Sequence, residues 1–161
     1  MVTEAEKLEK IDELLHLKFT QAVLFTKSVE RANVLTDYLT SLAIECKTFV
    51  GRMTNEKREE LYRAFKRKDV RIIVCTDIFQ RGVDFEGVNL VVHFDMPTTT
   101  DAYLHRSGRA GRFETNGLVV SLVSSEEDKK VLADIQDRFA VKIEEIHDVA
   151  KIDVERAFLA K

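Results

Sequence analysis

Cysteine is scarce in this sequence. The two present, Cys46 and Cys75, sit alone in apolar stretches, without the paired spacing of a zinc site or thiol redox motif. Both therefore read as core residues. Long apolar runs are missing as well, so neither a spanning helix nor a secretory leader is expected, and the chain reads as intracellular with no membrane partner. Nor is there an excess of positive charge: 25 Lys and Arg stand against 28 Asp and Glu, a net charge of −3. That balance argues against indiscriminate nucleic-acid binding but leaves room for a local basic patch. None of the six glycines is followed by lysine, which rules out a phosphate loop of the form GxxxxGK[ST]. With one proline, Pro97, and so few glycines, each glycine marks a special backbone position.

What is present is the composition of a globular domain, 45% hydrophobic and 33% charged over 161 residues, enough for one full core. Leu8, Ile11, Leu14 and Leu15 fall at helical spacing near the start. "QAVLFT" (21–26) then reads as a buried strand, followed by a helix capped by Ser28 with Val34, Leu35, Tyr38, Leu39 and Leu42 on one face. The pattern repeats: strands at "ECKTFV" and "RIIVC" flank a helix capped by Thr54 with Leu61 and Phe65 in its stripe. "NLVVHF", a helix over about 100–109, "LVVSLV" and a helix capped by Ser125 complete it. Short apolar strands alternating with helices predict βαβ units in a three-layer α/β/α domain with a mostly parallel central sheet. The expected unit is a single domain over 1–161, with its core over about 5–140 and residues 141–161 a C-terminal extension holding one short helix.

In such sheets ligands sit beyond the carboxyl ends of the strands. Three segments there could carry chemistry. "TDIFQRGVDFEG" places Thr76 and Asp77 at a strand tip, then Arg81, Gly82 and Asp84. A hydroxyl, amides near a glycine and an arginine suit a phosphate oxygen, and Asp84 suits a sugar hydroxyl, although an ordinary strand-to-helix turn explains them equally. "HRSGRAGRF" sets Arg109 and Arg112 three apart, able to converge on one anion, or simply to complement a helix dipole. "NEKREELYRAFKRKDVR" carries seven basic residues between Lys57 and Arg71 against three acidic ones. It could follow a nucleic-acid backbone or be a solvated helix face. Arg58 differs from the rest because it lies in a first helical turn, where amides also favour an anion. His16, His93 and His147 lack ligand spacing, and no metal site is expected. An Asp-Glu-Ala-Asp box to hold magnesium is absent.

Four segments in order, "VLFTKS" (23–28), "NEKR" (55–58), "TDIFQRGVD" (76–84) and "HRSGRAGR" (105–112), resemble motifs IV, IVa, V and VI of DEAD-box RNA helicases. The likeness covers the second, C-terminal RecA-like domain. "FDMPTTTDAYLHRSGRAGRF" through "IQDRF" and the following "IEE" is similar to the subgroup acting in pre-mRNA splicing and nuclear mRNA export. Asn55, Val50 and Gln80 depart from the usual Gln, His and Gly at their positions.

The resemblance implies a domain of an ATP-dependent RNA helicase in the nucleus, inactive by itself. A first RecA-like domain in cis would bring the P-loop and acidic box and bind most of the ATP and Mg2+. By matched position, Arg109 and Arg112 are implied as catalytic arginine fingers that bind nucleotide, Asp84 as the ribose contact and His105 as the coupling between sites. Arg58, Thr76 and Gly82 are implied as RNA-binding. RNA and proteins of splicing and export are the implied partners. The competing reading is a non-catalytic RNA- or protein-binding RecA-like module, which would not require the complete motif V and VI set.

Overall fold

A computed structural model describes residues 1–77, 86–111, 116–153 and 157–158. The chain opens with α1 (Glu4–Leu15), which begins where Thr3 and Glu6 bond reciprocally as a capping box. β1 (Gln21–Phe25), α2 (Val29–Ser41), β2 (Lys47–Phe49), α3 (Asn55–Lys66) and β3 (Ile72–Cys75) follow. β4 (Val88–His93), α4 (Thr100–Ser107), β5 (Leu118–Ser121), α5 (Glu126–Phe139) and a 3-10 turn (Val149–Lys151) complete the described elements. The hydroxyls of Ser28, Thr54 and Ser125 each accept from an amide in the first turn of the helix they open, as their sequence positions predict.

The strands form one sheet in the order β2-β3-β1-β4-β5, with all four pairings parallel. All five carboxyl ends therefore lie along the same edge. Alternate residues point to opposite faces. Ala22, Leu24, Ile72, Val74, Leu90 and Val92 pack with Ile11 and Leu14 of α1 and Leu35 and Leu39 of α2. Val23, Phe25, Ile73, Cys75 and Val91 pack with Phe65 of α3 on the other side. Near-continuous apolar strands are what a sheet covered on both faces needs. Tyr103 of α4 and Ile135 of α5 share a smaller cluster with Met96.

Three details differ from the sequence expectation. Val34 is 65% exposed and Leu42 is also exposed, because α2 buries Ala32, Leu35 and Leu39 instead. A stripe three residues wide suffices against a flat sheet, and the two flanking residues fall outside it. Helix α4 ends at Ser107, with Gly108 as its C-cap, not at 109. Lys7, a charged residue, is only 1% exposed within the apolar face of α1. Both cysteines are buried and free, and burial pushes their thiols above the ordinary range. No helix among the described residues is long and apolar enough to cross a membrane.

Candidate phosphate- and RNA-facing site

Thr76 and Asp77 follow β3 at the carboxyl edge of the sheet, and Asp95 stands two residues beyond β4. Helix α4, capped by Thr99, ends beside them and delivers three basic residues with different surroundings. Arg106 is 1% exposed and turns inward. Its Nε and Nη2 donate to the two carboxylate oxygens of Asp77 at 2.5 and 2.8 Å, and its Nη1 donates to the Asp95 carbonyl at 2.8 Å. The guanidinium also stands 5.1 Å over the Phe25 ring. A planar fork matched to a carboxylate suits arginine at a buried position and no other cation. Arg106 is an anchor, and its neighbour His105 is left exposed.

Half-buried Arg109 lies just past the helix, where its Nε donates to the His105 carbonyl at 3.2 Å. The contact satisfies one of the carbonyls left over at a helix end, so part of the dipole reading is present in the structure. Beyond it the chain turns at Gly111, whose φ of 69° is natural to glycine, and the Gly111 amide donates to the Val88 carbonyl at 3.2 Å. Gly117 passes so close behind this turn that a Cβ there would lie 2.5 Å from the Gly111 nitrogen. The backbone leading out of α4 is thus fixed from two sides. Gly82, Asp84 and Arg112 lie outside the described residues.

On the other half of the edge, Phe49 is in register with Cys75, which brings the end of β2 beside Thr76. Arg58, in the first turn of α3, donates from Nη2 to the Gly51 carbonyl at 3.1 Å and lies 5.9 Å over the Phe49 ring. Its Nε is buried with no partner among the described residues, and so is the hydroxyl of Thr76, a residue 7% exposed. Buried polar atoms normally find partners; Ser107 Oγ and His93 Nε2 are likewise unpartnered among the described residues, and for Arg58 and Thr76 at this sheet edge an acceptor from outside would supply the missing bond. The rest of the basic run behaves as a solvated face. Arg63 pairs with Glu59, Arg67 with Asp69 at 2.8 Å, and Arg71 caps the carbonyls of Phe19 and Thr20.

Beneath the site His93 is fully buried, 4.6 Å from the Tyr103 ring and 3.0 Å from the Ser121 hydroxyl. Burial, with Arg106 nearby, lowers its pKa to about 3. The folded value lies below the unfolded one of about 6.5, so its contribution is complete above pH 6.5 and is lost as pH falls towards 3. Urea titrations should show stability dropping by about 2 kcal/mol between pH 6.5 and 5, where most carboxylates stay ionised in both states. His93→Gln should flatten that slope, whereas an unchanged slope would contradict a neutral, buried imidazole.

Sequence reasoning missed the Arg106–Asp77 pair and the role of Asp95. A signal existed for both, since an acidic residue just beyond an apolar strand at the ligand edge needs a partner. Among the described residues, no group of three or more His, Cys, Asp and Glu gathers to hold a metal.

The pattern of the helicase conserved C-terminal domain matches residues 6–114, two thirds of the chain. The chain belongs to this family. Within it, the ATP-dependent RNA helicase SUB2 of Kluyveromyces lactis is 50% identical over 145 residues, 89% of this chain and 33% of that protein. The ATP-dependent RNA helicase uap56 of Schizosaccharomyces pombe is 49% identical over 152 residues, 94% of this chain and 35% of that protein. The helicase C-terminal domain described here thus spans about a third of the length of these relatives. Among solved structures, S. cerevisiae Dbp5 L327V bound to RNA and ADP BeF3 aligns with a TM-score of 0.87 at 26% identity, covering 96% of this chain and 43% of that one. The C-terminal domain of the DEAD-box protein Dbp5 aligns at 0.80 with 29% identity, covering 87% of this chain and 82% of that one. The RecA-like fold and the likeness to the SUB2 and UAP56 group follow from these similarities.

Proposed function

We propose that this helicase C-terminal domain works as the RNA- and phosphate-facing half of a nuclear, ATP-driven RNA helicase that remodels RNA during mRNA splicing and export. The observation that carries the reading is the pair of orphaned polar atoms, Thr76 Oγ1 and Arg58 Nε, beside an arginine-bearing helix end that Arg106 anchors. On this reading Arg58, Thr76 and Gly82 hold RNA phosphates, a sequence-independent contact. Arg109 and Arg112 place positive charge where it develops on the transferred phosphoryl group, Asp84 holds the ribose, and His105 couples the two sites. A first RecA-like domain in cis supplies the P-loop and carboxylates for ATP and Mg2+. Splicing and export proteins are the expected partners.

The test is RNA affinity of the full-length protein held with a non-hydrolysable ATP analogue, measured across a salt series. Arg58→Ala should weaken binding about tenfold and flatten the dependence of log K on log salt by about 0.7, one released counterion from a single strand. Thr76→Val removes a neutral hydroxyl and should weaken binding without changing the slope. Unaltered affinity in both variants would return the α3 charge run wholly to a solvated face and favour a module that meets another partner.

A further inference from the structure

Charged groups form an unbroken line across the carboxyl edge of the sheet, from the first helix to the third strand. Glu4 accepts from Lys7 Nζ at 2.8 Å and from Arg31 Nη2 at 2.7 Å. Asp95, 4% exposed, accepts from Lys7 Nζ at 3.3 Å, from Arg31 Nε and Nη2 at 2.7 and 2.6 Å, and from the Lys27 amide at 3.0 Å. The backbone of Asp95 is held as well: its amide donates to the Phe25 carbonyl at 3.1 Å, and its own carbonyl takes Nη1 of Arg106. Arg106 then closes the line on Asp77. One residue therefore joins α1, the turn into α2, the β1 edge and the inner side of α4.

Stability alone is a poor reason for this arrangement. Moving the Lys7 ammonium and the Asp95 carboxylate out of water carries a large desolvation penalty, and well-packed apolar groups of the same volume generally do as well or better. Burial works to raise the Asp95 carboxyl, yet the Arg31 hydrogen bonds, the Lys27 amide and Lys7 hold it below its ordinary range, so the carboxylate stays charged. Fixed charges meeting in bidentate geometry define position sharply, which apolar packing does less well. The position being defined is the turn from β4 into α4. That turn presents the carbonyl on which Arg106 rests, and Arg109 follows Arg106 by three residues.

We propose that Asp95 is a positioning residue for phosphoryl transfer: clamped by Lys7 and Arg31, it sets Arg106 and thereby the helix end that carries Arg109. The proposal rests on the reading of Arg109 as a phosphate-facing group. A carboxylate released from its clamp lets the 94–97 turn relax, removes one of the three bonds on Arg106 and moves Arg109 away from the reacting phosphate. Displacements on the order of 1 Å at such a group slow reactions by up to about a hundredfold. Among the described residues, the Asp95 carboxylate is held by Lys7, Lys27 and Arg31, and neither Arg58 nor Thr76 takes part.

A double-mutant cycle in the full-length protein separates this proposal from the reading beneath it. Asp95→Asn, Arg109→Lys and the double variant are compared for RNA-stimulated kcat, KM for ATP and RNA affinity. Asp95→Asn should lower kcat about tenfold while KM and RNA affinity stay within about twofold, and in the Arg109→Lys background the same change should lower kcat by less than about twofold. An equal fractional loss in both backgrounds, or an unchanged kcat for Asp95→Asn, overturns the positioning role while leaving Arg109 in place. A normal kcat for Arg109→Lys alone instead removes the phosphate-facing reading. Should Asp95→Asn fail to fold, Arg31→Lys keeps the charge and loses the fork. The same non-additivity is expected of it, and its absence overturns the proposal equally.

Discussion

Replacing Arg109 or Arg112 by lysine should slow ATP turnover by the full-length protein about a thousandfold and leave its melting temperature almost unchanged. Lysine keeps the charge and discards the planar fork, so the comparison isolates geometry. Arg109 is half-buried, and its Nε donates to the His105 carbonyl at 3.2 Å, the contact of a helix-end charge. A helix-end charge of that kind contributes under about 1 kcal/mol of stability. Arg106 in the same segment is the internal contrast, since it is buried, three times hydrogen-bonded and committed to Asp77 and Asp95. A substitution there should lower stability and activity together, as breaking a buried ion pair does. Near-normal turnover with saturating RNA in both lysine variants would remove the finger assignment. A large melting shift with proportionate loss of activity would make Arg109 and Arg112 structural like Arg106.

The architecture was largely legible because its signals are local. Ser28, Thr54 and Ser125 announce helix starts through short side chains that reach amides three residues on, and no distant contact is needed to read them. Apolar runs such as Ile72–Cys75 and the even spacing of strands and helices carry the parallel sheet. Where burial depends on which neighbours arrive, local pattern misled: Val34 and Leu42 share the periodicity of α2 but fall beyond the width of the sheet contact. The site was legible by residue type rather than by contact. Thr76 and Arg58 were identifiable as candidates, yet only the β2–β3 register, with Phe49 opposite Cys75, puts them on the same side of the sheet edge. Lys7, Arg31 and Asp95 lie up to 88 residues apart in sequence, and no spacing rule announces that they meet. Lys7 stands four residues before Ile11 on an apolar stripe, a polar intrusion that in hindsight marks a buried partner.

The largest effect of all concerns the chain by itself. On the proposed reading its arginines stabilise charge on a phosphoryl group, but the sequence has no GxxxxGK[ST] loop and no Asp-Glu-Ala-Asp box with which to bind and activate ATP. Catalysis of this kind is positioning plus electrostatics, so half of the constellation leaves the nucleotide unheld and the arginines without a target. The most direct measurement is steady-state ATP hydrolysis by the purified 161-residue chain, with and without RNA, beside the same chain joined to a P-loop-bearing first domain. No turnover above background is expected from the chain alone, and RNA-stimulated turnover on the order of 1 per second from the joined protein. Enzyme-like hydrolysis by the isolated chain, or none from a folded joined protein that binds both ATP and RNA, would contradict the account.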